Sequence, residues 1–307
     1  MRVLVTGANG FVGREVVRRL LRSGYDVVAL DPAGNPAPGV TAIAGDLDDA
    51  ATRRLALTGC NAVVHLATIP GGAAEADPAL AWRVNIEATA ALMREAAETS
   101  EAMRFVFASS IAVLGSGLPA LVDDSTPSRP SMLYGAHKAM METWLATLTR
   151  RGALQGLSLR LPGVIARPQS GEGFKSAFLS DIFHAACAGS GFTMPVSGAA
   201  TTWLMSVRQA AANFCHAVEA AWDPCEPYGA TLPAVCARID MLVAEIARQA
   251  GCAEDWIDYS PDSALEAGFG RLPALAPALA ERLGFAADAS LASLVADTFA
   301  QISEDRA

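Results

Sequence analysis

Tyr134 and Lys138 stand four residues apart in "YGAHK", at the start of the run "MLYGAHKAMMETWLATLTR". The run has helical spacing, so the two side chains share one face, one turn apart. A free phenol has a pKa of about 10 and is a poor base at neutral pH. A neighbouring ammonium favours the phenolate, and a phenolate within reach of a substrate hydroxyl is a general base. The same spacing also arises in ordinary surface pairs, because any helix sets residues i and i+4 side by side. The elements around the pair decide between these readings.

The first element is "TGANGFVG", in which Gly7, Gly10 and Gly13 form G-x-x-G-x-x-G between a β-branched run and a helical one. Glycine lets the backbone turn tightly and approach a pyrophosphate, and the following helix N-terminus offers N–H donors. Asn9, Phe11 and Val12, inside the same loop, are expected to touch the cofactor too. The next strand, "VVALD", ends on Asp31, eighteen residues after Gly13. A carboxylate there accepts from a ribose diol and repels a 2'-phosphate. No arginine follows in "PAGNPAPG", so the expected cofactor is NAD rather than NADP. Asp46 and Leu47, in "GDL", are expected to flank the adenine.

Strands and helices alternate through the first half. "RVLVTG", "YDVVALD", "VTAIAGD", "NAVVHLAT", "RFVFASS" and "LSLRLPGVIA" read as strands. "FVGREVVRRLLRSG", "DDAATRRLALTG", "PALAWRVNIEATAALMREAAETS" and the Tyr134 run read as helices. Near-continuous apolar strands between helices indicate a parallel sheet covered on both faces. The fold class is α/β, a Rossmann-type doubly wound parallel sheet. After about residue 166 the rhythm breaks into helices punctuated by Pro and Gly. The expected division is 1–165, an NAD-binding domain, and 166–307, a smaller helix-rich substrate lobe with segments that return to the first.

Composition narrows the function. The chain has 307 residues, 52% of them hydrophobic, 18% charged, with a net charge of -9. It can bury a core, and its acidity argues against nucleic acid and anionic membrane surfaces as partners. Six cysteines without a C-x-x-C pair or a His cluster read as reduced, mostly buried thiols, with no metal site and a cytoplasmic location. "MRVLVTGANG" reaches a Gly-rich turn too soon for a signal peptide, and no apolar run is long enough to span a membrane.

Taken in order, "TGANGFVG", Asp31, "GDL", "HLAT", Asn85, "FASSIAVLG", "YGAHK" and "LRLPGVIARP" resemble the extended short-chain dehydrogenase/reductase family, which includes sugar-nucleotide epimerases and dehydratases. The resemblance implies that Tyr134 takes a proton from a substrate hydroxyl, helped by Lys138, which also binds the nicotinamide ribose. It implies that Ser110 holds the reacting oxygen. Ser109 and Ser110 face opposite sides of a strand, and the family's register selects Ser110. Leu66, Ala67 and Thr68 would line the cofactor ribose. Leu161, Pro162 and Gly163 would lie near the nicotinamide amide, and Asn85 would order the region through backbone hydrogen bonds.

A narrower resemblance, carried by "EADPALAWRVN", "RFVFASSIAVLG", "LRLPGVIARP" and "PVSGAATTWLMSVRQAAANFCHAVE", is to D-erythronate dehydrogenases, which oxidise the C2 hydroxyl of a four-carbon sugar acid with NAD. It implies a small polyhydroxy acid as substrate. The segment "ATIPGGAAEAD", His184 in place of an arginine, and "GFGRLPALAP" depart from that pattern and bear on substrate identity. The acid's carboxylate needs a cation or several donors. Arg167, Lys175 and Arg208, with Ser176, Thr202 and Ser206, are all candidates. Ser176 and Trp203 are expected to contact the substrate, Trp203 as a pocket wall unless it is a packed interlobe aromatic. His65 reads as a core histidine. Apolar stripes on the helices at 79–99 and 132–150 imply, by the family's habit, a homodimer seam. Two other functions remain open: a nucleotide-sugar 4-epimerase that retains its NAD, and a non-catalytic NAD(P)-sensing protein, against which the intact Ser110, Tyr134 and Lys138 speak.

Overall fold

The computed structural model describes residues 1–34, 38–99, 103–168, 176–221, 229–253 and 255–306. Strands β1 (Arg2–Thr6), β2 (Asp26–Asp31), β3 (Thr41–Ala44), β4 (Ala62–His65) and β5 (Arg104–Ser110) join Gln155–Leu161 and Gly229–Thr231 in one seven-stranded sheet. Its order is Gly229–Thr231, Gln155–Leu161, β5, β4, β1, β2, β3, and every pairing is parallel.

The inner strands lack a polar face because both faces are buried, whereas the edge strand β3 is largely exposed. Val3 and Val5 of β1 enter one core and Leu4 the other. Val106 and Phe105 of β5 divide in the same way. Period-two alternation therefore sorts side chains between two apolar layers rather than between core and water. Each such aliphatic, fully buried, contributes on the order of 1.5–3 kcal/mol. Helices Phe11–Arg22 and Val207–Glu219 cover the first layer with Val16, Leu20, Ala210 and Phe214. Ala50–Leu57, Thr89–Thr99 and Leu133–Arg150 cover the second with Leu57, Leu92, Met93 and Leu145. The strand order reverses between β1 and β4, and a crevice opens outside the carboxyl ends at such a point.

Two elements differ from expectation. "LSLRLPGVIA" is not one strand. It divides at Pro162 into Gln155–Leu161, in the main sheet, and Gly163–Ile165, which pairs with Thr201–Ser206 in a three-stranded sheet completed by Val235–Arg238. Proline has no N–H for the ladder, so the chain leaves the main sheet there. The long helix at 79–99 is likewise interrupted. Pro78–Trp82 is α-helical, Arg83–Ala88 widens into a π-helical turn, and Thr89–Thr99 resumes the α-helix. Such bulges often mark functional positions, and Asn85 lies in this one.

A third core, with Ile165, Phe178, Phe183, Leu204, Leu242 and Leu294, forms around the three-stranded sheet. The thiols are less buried than expected: Cys60 is buried, Cys215 and Cys252 are half-buried, and Cys187 and Cys236 are exposed, all five unbonded. The apolar cores are made by aliphatic and aromatic residues, which leaves little need for thiols inside. Cys225 and Lys175 lie outside the described residues. No described helix is long and apolar enough to cross a membrane, and no described His, Cys, Asp or Glu group is arranged to hold a metal ion.

Candidate active site

A cleft of about 580 Å³ follows the carboxyl ends of β1, β2, β4 and β5, within the size range of small-molecule sites. Its floor is the glycine loop. Gly7 has φ +66°, and a Cβ there would lie 2.8 Å from the Ala67 nitrogen. A Cβ on Gly13 would lie 2.1 Å from the Gly7 oxygen. Only glycine lets the loop, the helix start and the segment after β4 close up in this way. Gly10 caps helix Phe11–Arg22 with no side-chain bond to its first turn, so the helix N-terminus opens towards the cleft with its positive dipole end. These features fit a pyrophosphate.

At the rim, Asp31 accepts from the Asn9 N–H at 3.1 Å and the Ala33 N–H at 3.0 Å. It thus ties the end of β2 to the glycine loop while still lining the cleft. Leu47 is held from behind: its carbonyl accepts from Arg53 Nη1 at 2.8 Å, and Arg53 makes a bidentate buried pair with Glu95 at 2.7 and 3.0 Å. Below the loop, Thr6, His65 and Thr89 form a hydrogen-bonded chain, with His65 Nδ1 2.7 Å from Thr6 Oγ1 and Nε2 3.0 Å from Thr89 Oγ1. Burial, assisted by Lys138, pushes His65 down to about 3. It is neutral at any physiological pH and structural, in keeping with the core reading.

Helix Leu133–Arg150 carries Tyr134, Lys138 and Glu142 on one stripe. Tyr134 is half-buried against the cleft and hydrogen-bonds Ser110. Burial raises its pKa, opposed by the Arg167 guanidinium and the Ser110 hydrogen bond. Lys138 donates to the Ala108 carbonyl at 2.7 Å, and its Nζ lies 5.5 Å from the centre of the Tyr134 ring. Burial pushes its ammonium down to about 7, against the pull of Glu142. A second cation beside Lys138 thus favours the Tyr134 phenolate, the Arg167 guanidinium, while the Lys138 ammonium is also engaged with a backbone oxygen. Ser109 turns the other way and donates to Glu142, which also pairs with Arg160 at 2.7 Å. That buried network fixes the Tyr134 helix to the sheet and leaves Ser110 beside the phenol. Glu142 was discoverable from sequence, because it continues the i, i+4 stripe.

Of the residues singled out in the sequence, Gly7, Gly10, Phe11, Val12, Asp31, Asp46, Leu47, Leu66, Ala67, Thr68, Ser110, Tyr134, Lys138, Leu161 and Pro162 line this one cleft. Five do not. Asn9 contributes its backbone N–H to Asp31. Asn85 is buried behind the wall, where its Oδ1 accepts from the Ile69 N–H at 2.7 Å and the Thr68 hydroxyl at 3.0 Å and its Nδ2 donates to the Ile69 carbonyl at 2.9 Å. It orders the loop after β4 and does not reach the cleft. Gly163 has moved with its strand into the second sheet. Ser176 lines a separate small cavity. Trp203 is not a pocket wall: it is fully buried with Val113, Leu114 and Val122, and its indole donates to the Pro273 carbonyl at 2.7 Å. A ring with its one donor satisfied inside an apolar cluster has no surface left for a ligand. Arg83 and Val84 line the cleft without having been anticipated, because the π-helical turn that carries them leaves no mark in apolar periodicity, and Ile69 and Pro70 join them from the segment after β4.

Comparison with known proteins fits this geometry. The model of the NAD dependent epimerase/dehydratase family matches residues 3–227. A protein of Cupriavidus necator named D-erythronate dehydrogenase is 34% identical over 96% of this chain and 97% of its own length. A Haemophilus influenzae protein of the same name is 32% identical over 71% of this chain and 72% of its own. Among solved structures, the nucleoside-diphosphate-sugar epimerase from Agrobacterium tumefaciens superposes with a TM-score of 0.87 at 27% identity, covering 96% of this chain and 92% of that one.

Proposed function

The chain belongs to the NAD dependent epimerase/dehydratase family, and from that premise we propose that it oxidises the C2 hydroxyl of a four-carbon sugar acid, D-erythronate to 2-oxo-D-erythronate, with NAD as cofactor. The observation that carries this reading is the meeting of Ser110, Tyr134, Lys138 and Arg167 in the wall of one cleft whose floor is the glycine loop. The two relatives named for D-erythronate support the substrate.

In this reading residues 1–165 hold the cofactor and 166–307 form the substrate lobe. When bound, NAD supplies the hydride acceptor at C2 of the acid. The chain's own groups handle the proton. Ser110 and the Tyr134 hydroxyl, already hydrogen-bonded to each other, receive the substrate hydroxyl between them. Tyr134, as phenolate, takes its proton. Lys138 orders the ribose side from its anchor on Ala108, and Asp31 accepts from the adenosine ribose. Met140 and Trp144, 43% and 40% exposed on the Tyr134 helix, and Trp82, 44% exposed on Pro78–Trp82, are large apolar groups in water. They support a homodimer through these helices, and sedimentation of Trp144→Glu as an unchanged dimer would remove that seam.

The deciding experiment is NADH formation with D-erythronate, its stereoisomers, longer aldonates and UDP-sugars, each with NAD and NADP. Steady NADH from a four-carbon acid is expected. Interconversion of a UDP-sugar without net NADH would assign the chain to the epimerases instead. Asp31 supplies a second test. Asp31→Asn removes the charge and keeps one of the two acceptor oxygens that serve Asn9 and Ala33. It is expected to shift the NAD-to-NADP preference by about tenfold towards NADP, roughly 1.4 kcal/mol, and an unchanged ratio would exclude the ribose role.

A further inference from the structure

Among the described residues three cations line the cleft: Arg83, Lys138 and Arg167. Arg83 pairs with Asp48 at 3.1 Å, next to the Asp46 and Leu47 rim and towards the adenine end. Lys138 is bound to the Ala108 carbonyl. Arg208, a candidate from the sequence, is paired with Glu304 at 2.5 Å and Asp297 at 3.5 Å and does not line the cleft.

Arg167 differs from the others in its position. It follows strand Gly163–Ile165 beyond the crossing at Pro162, and its charge and that of Tyr134 act on each other. Its main chain is clamped on both sides: the N–H donates to Ser180 Oγ at 3.1 Å, and the carbonyl accepts from His184 Nε2 at 2.7 Å. Behind it is a second cavity of only about 30 Å³, walled in part by Ser176, Ser180 and Asp181, room for little more than a water or two.

Resting on the dehydrogenase reading above, we propose that Arg167 grips the carboxylate of the substrate acid, and that its position beside Tyr134 selects the hydroxyl on the carbon next to that carboxylate for oxidation. In a 2-hydroxy acid the carboxylate carbon is bonded directly to the reacting carbon. A guanidinium and a base that line one cleft, close enough for their charges to act on each other, match that pair of groups. They do not match a carboxylate separated from the reacting carbon by further carbons. The guanidinium fork also suits two carboxylate oxygens at once. His184, in the place where an arginine was expected, contributes by fixing the Arg167 backbone rather than by meeting the acid itself.

The test compares the best acid of the panel with its primary amide, which keeps shape and hydroxyls but has no charge. Wild type is expected to favour the acid by about a hundredfold or more in kcat/KM, the scale of a desolvated charge pair. In Arg167→Gln that ratio is expected to fall towards one, with Arg167→Lys intermediate because a point charge lacks the fork. NADH binding, followed by its fluorescence, reports that the variants remain folded. The alkaline-going rise of kcat/KM should move to higher pH in Arg167→Gln, since a charge favouring the phenolate is gone. If Arg167→Gln keeps the wild-type preference for the acid, or loses acid and amide activity equally, the proposal is overturned while the dehydrogenase reading stands. If wild type forms no NADH from any hydroxy acid but epimerises a UDP-sugar, the functional reading fails, and this inference with it.

Discussion

Tyr134→Phe is expected to lower kcat by about a thousandfold or more, with NAD affinity retained. The substitution removes one oxygen. The ring stays, and with it the packing of helix Leu133–Arg150 on the sheet, because the buried face of that helix is made by Met141, Leu145 and the Glu142–Arg160 pair. A positioned general base contributes typically 10²–10⁴-fold, so the loss belongs to the chemical step. The measurements are single-turnover NADH formation and NADH titration on the same variant. Turnover near wild type would remove Tyr134 as the base. Loss of cofactor binding in parallel with turnover would show that the phenol serves the cleft's structure instead.

The pH profile follows from the same geometry. Burial raises the Tyr134 pKa, and Arg167 and Ser110 bring it part of the way back. In the proposed mechanism the reactive form is the deprotonated one, so oxidation should accelerate as pH rises towards that pKa, and the limb should vanish in Tyr134→Phe. Lys138, held down to about 7 by burial, loses charge over the same approach to alkaline pH. Its anchor on Ala108 nevertheless survives as an N–H donor, since a neutral amine still donates.

The parts of the site legible in the sequence were those set by local spacing. Gly7, Gly10 and Gly13 announce a strand–turn–helix junction, Asp31 ends a strand at a countable distance, and Tyr134 and Lys138 share a helical face. The doubly wound sheet was equally legible, because strands buried on both faces cannot hide their apolar continuity. What failed depended on tertiary placement. Trp203 reads the same whether it lines a pocket or fills a core, and the carbonyl of Pro273 that settles the matter is 70 residues away. Arg167 is one charge among 23 Lys and Arg residues. It gains its meaning only after the chain crosses between sheets at Pro162. Asn85 was rightly suspected as an odd helix residue, but its target, the backbone of Ile69, required the π-helical turn.

Gly13→Ala separates two predictions that local propensity and packing make with opposite sign. Gly13 lies in the first turns of helix Phe11–Arg22, where alanine is favoured over glycine by about 0.8–1 kcal/mol. Propensity alone therefore predicts a more stable protein. The new Cβ, however, would lie 2.1 Å from the Gly7 oxygen and 2.9 Å from the Ala8 oxygen. Both are main-chain atoms, so no rotamer can relieve the overlap. The helix start and the glycine loop must move apart, at an overpacking cost of roughly 1–3 kcal/mol, which outweighs the gain. The same movement carries the loop away from its approach to Ala67, where the pyrophosphate would rest. The expected result is a lower Tm and NAD binding weakened by at least about a hundredfold, with turnover lost in proportion. Gly268→Ala is the control. It also lies in a helix, Ser263–Phe269, and a Cβ there meets nothing within 4 Å, so only propensity acts and its Tm should hold or rise. If Gly13→Ala behaved like Gly268→Ala, with NAD affinity intact, the glycine loop would be a packing turn and the cofactor would have to be held elsewhere in the cleft.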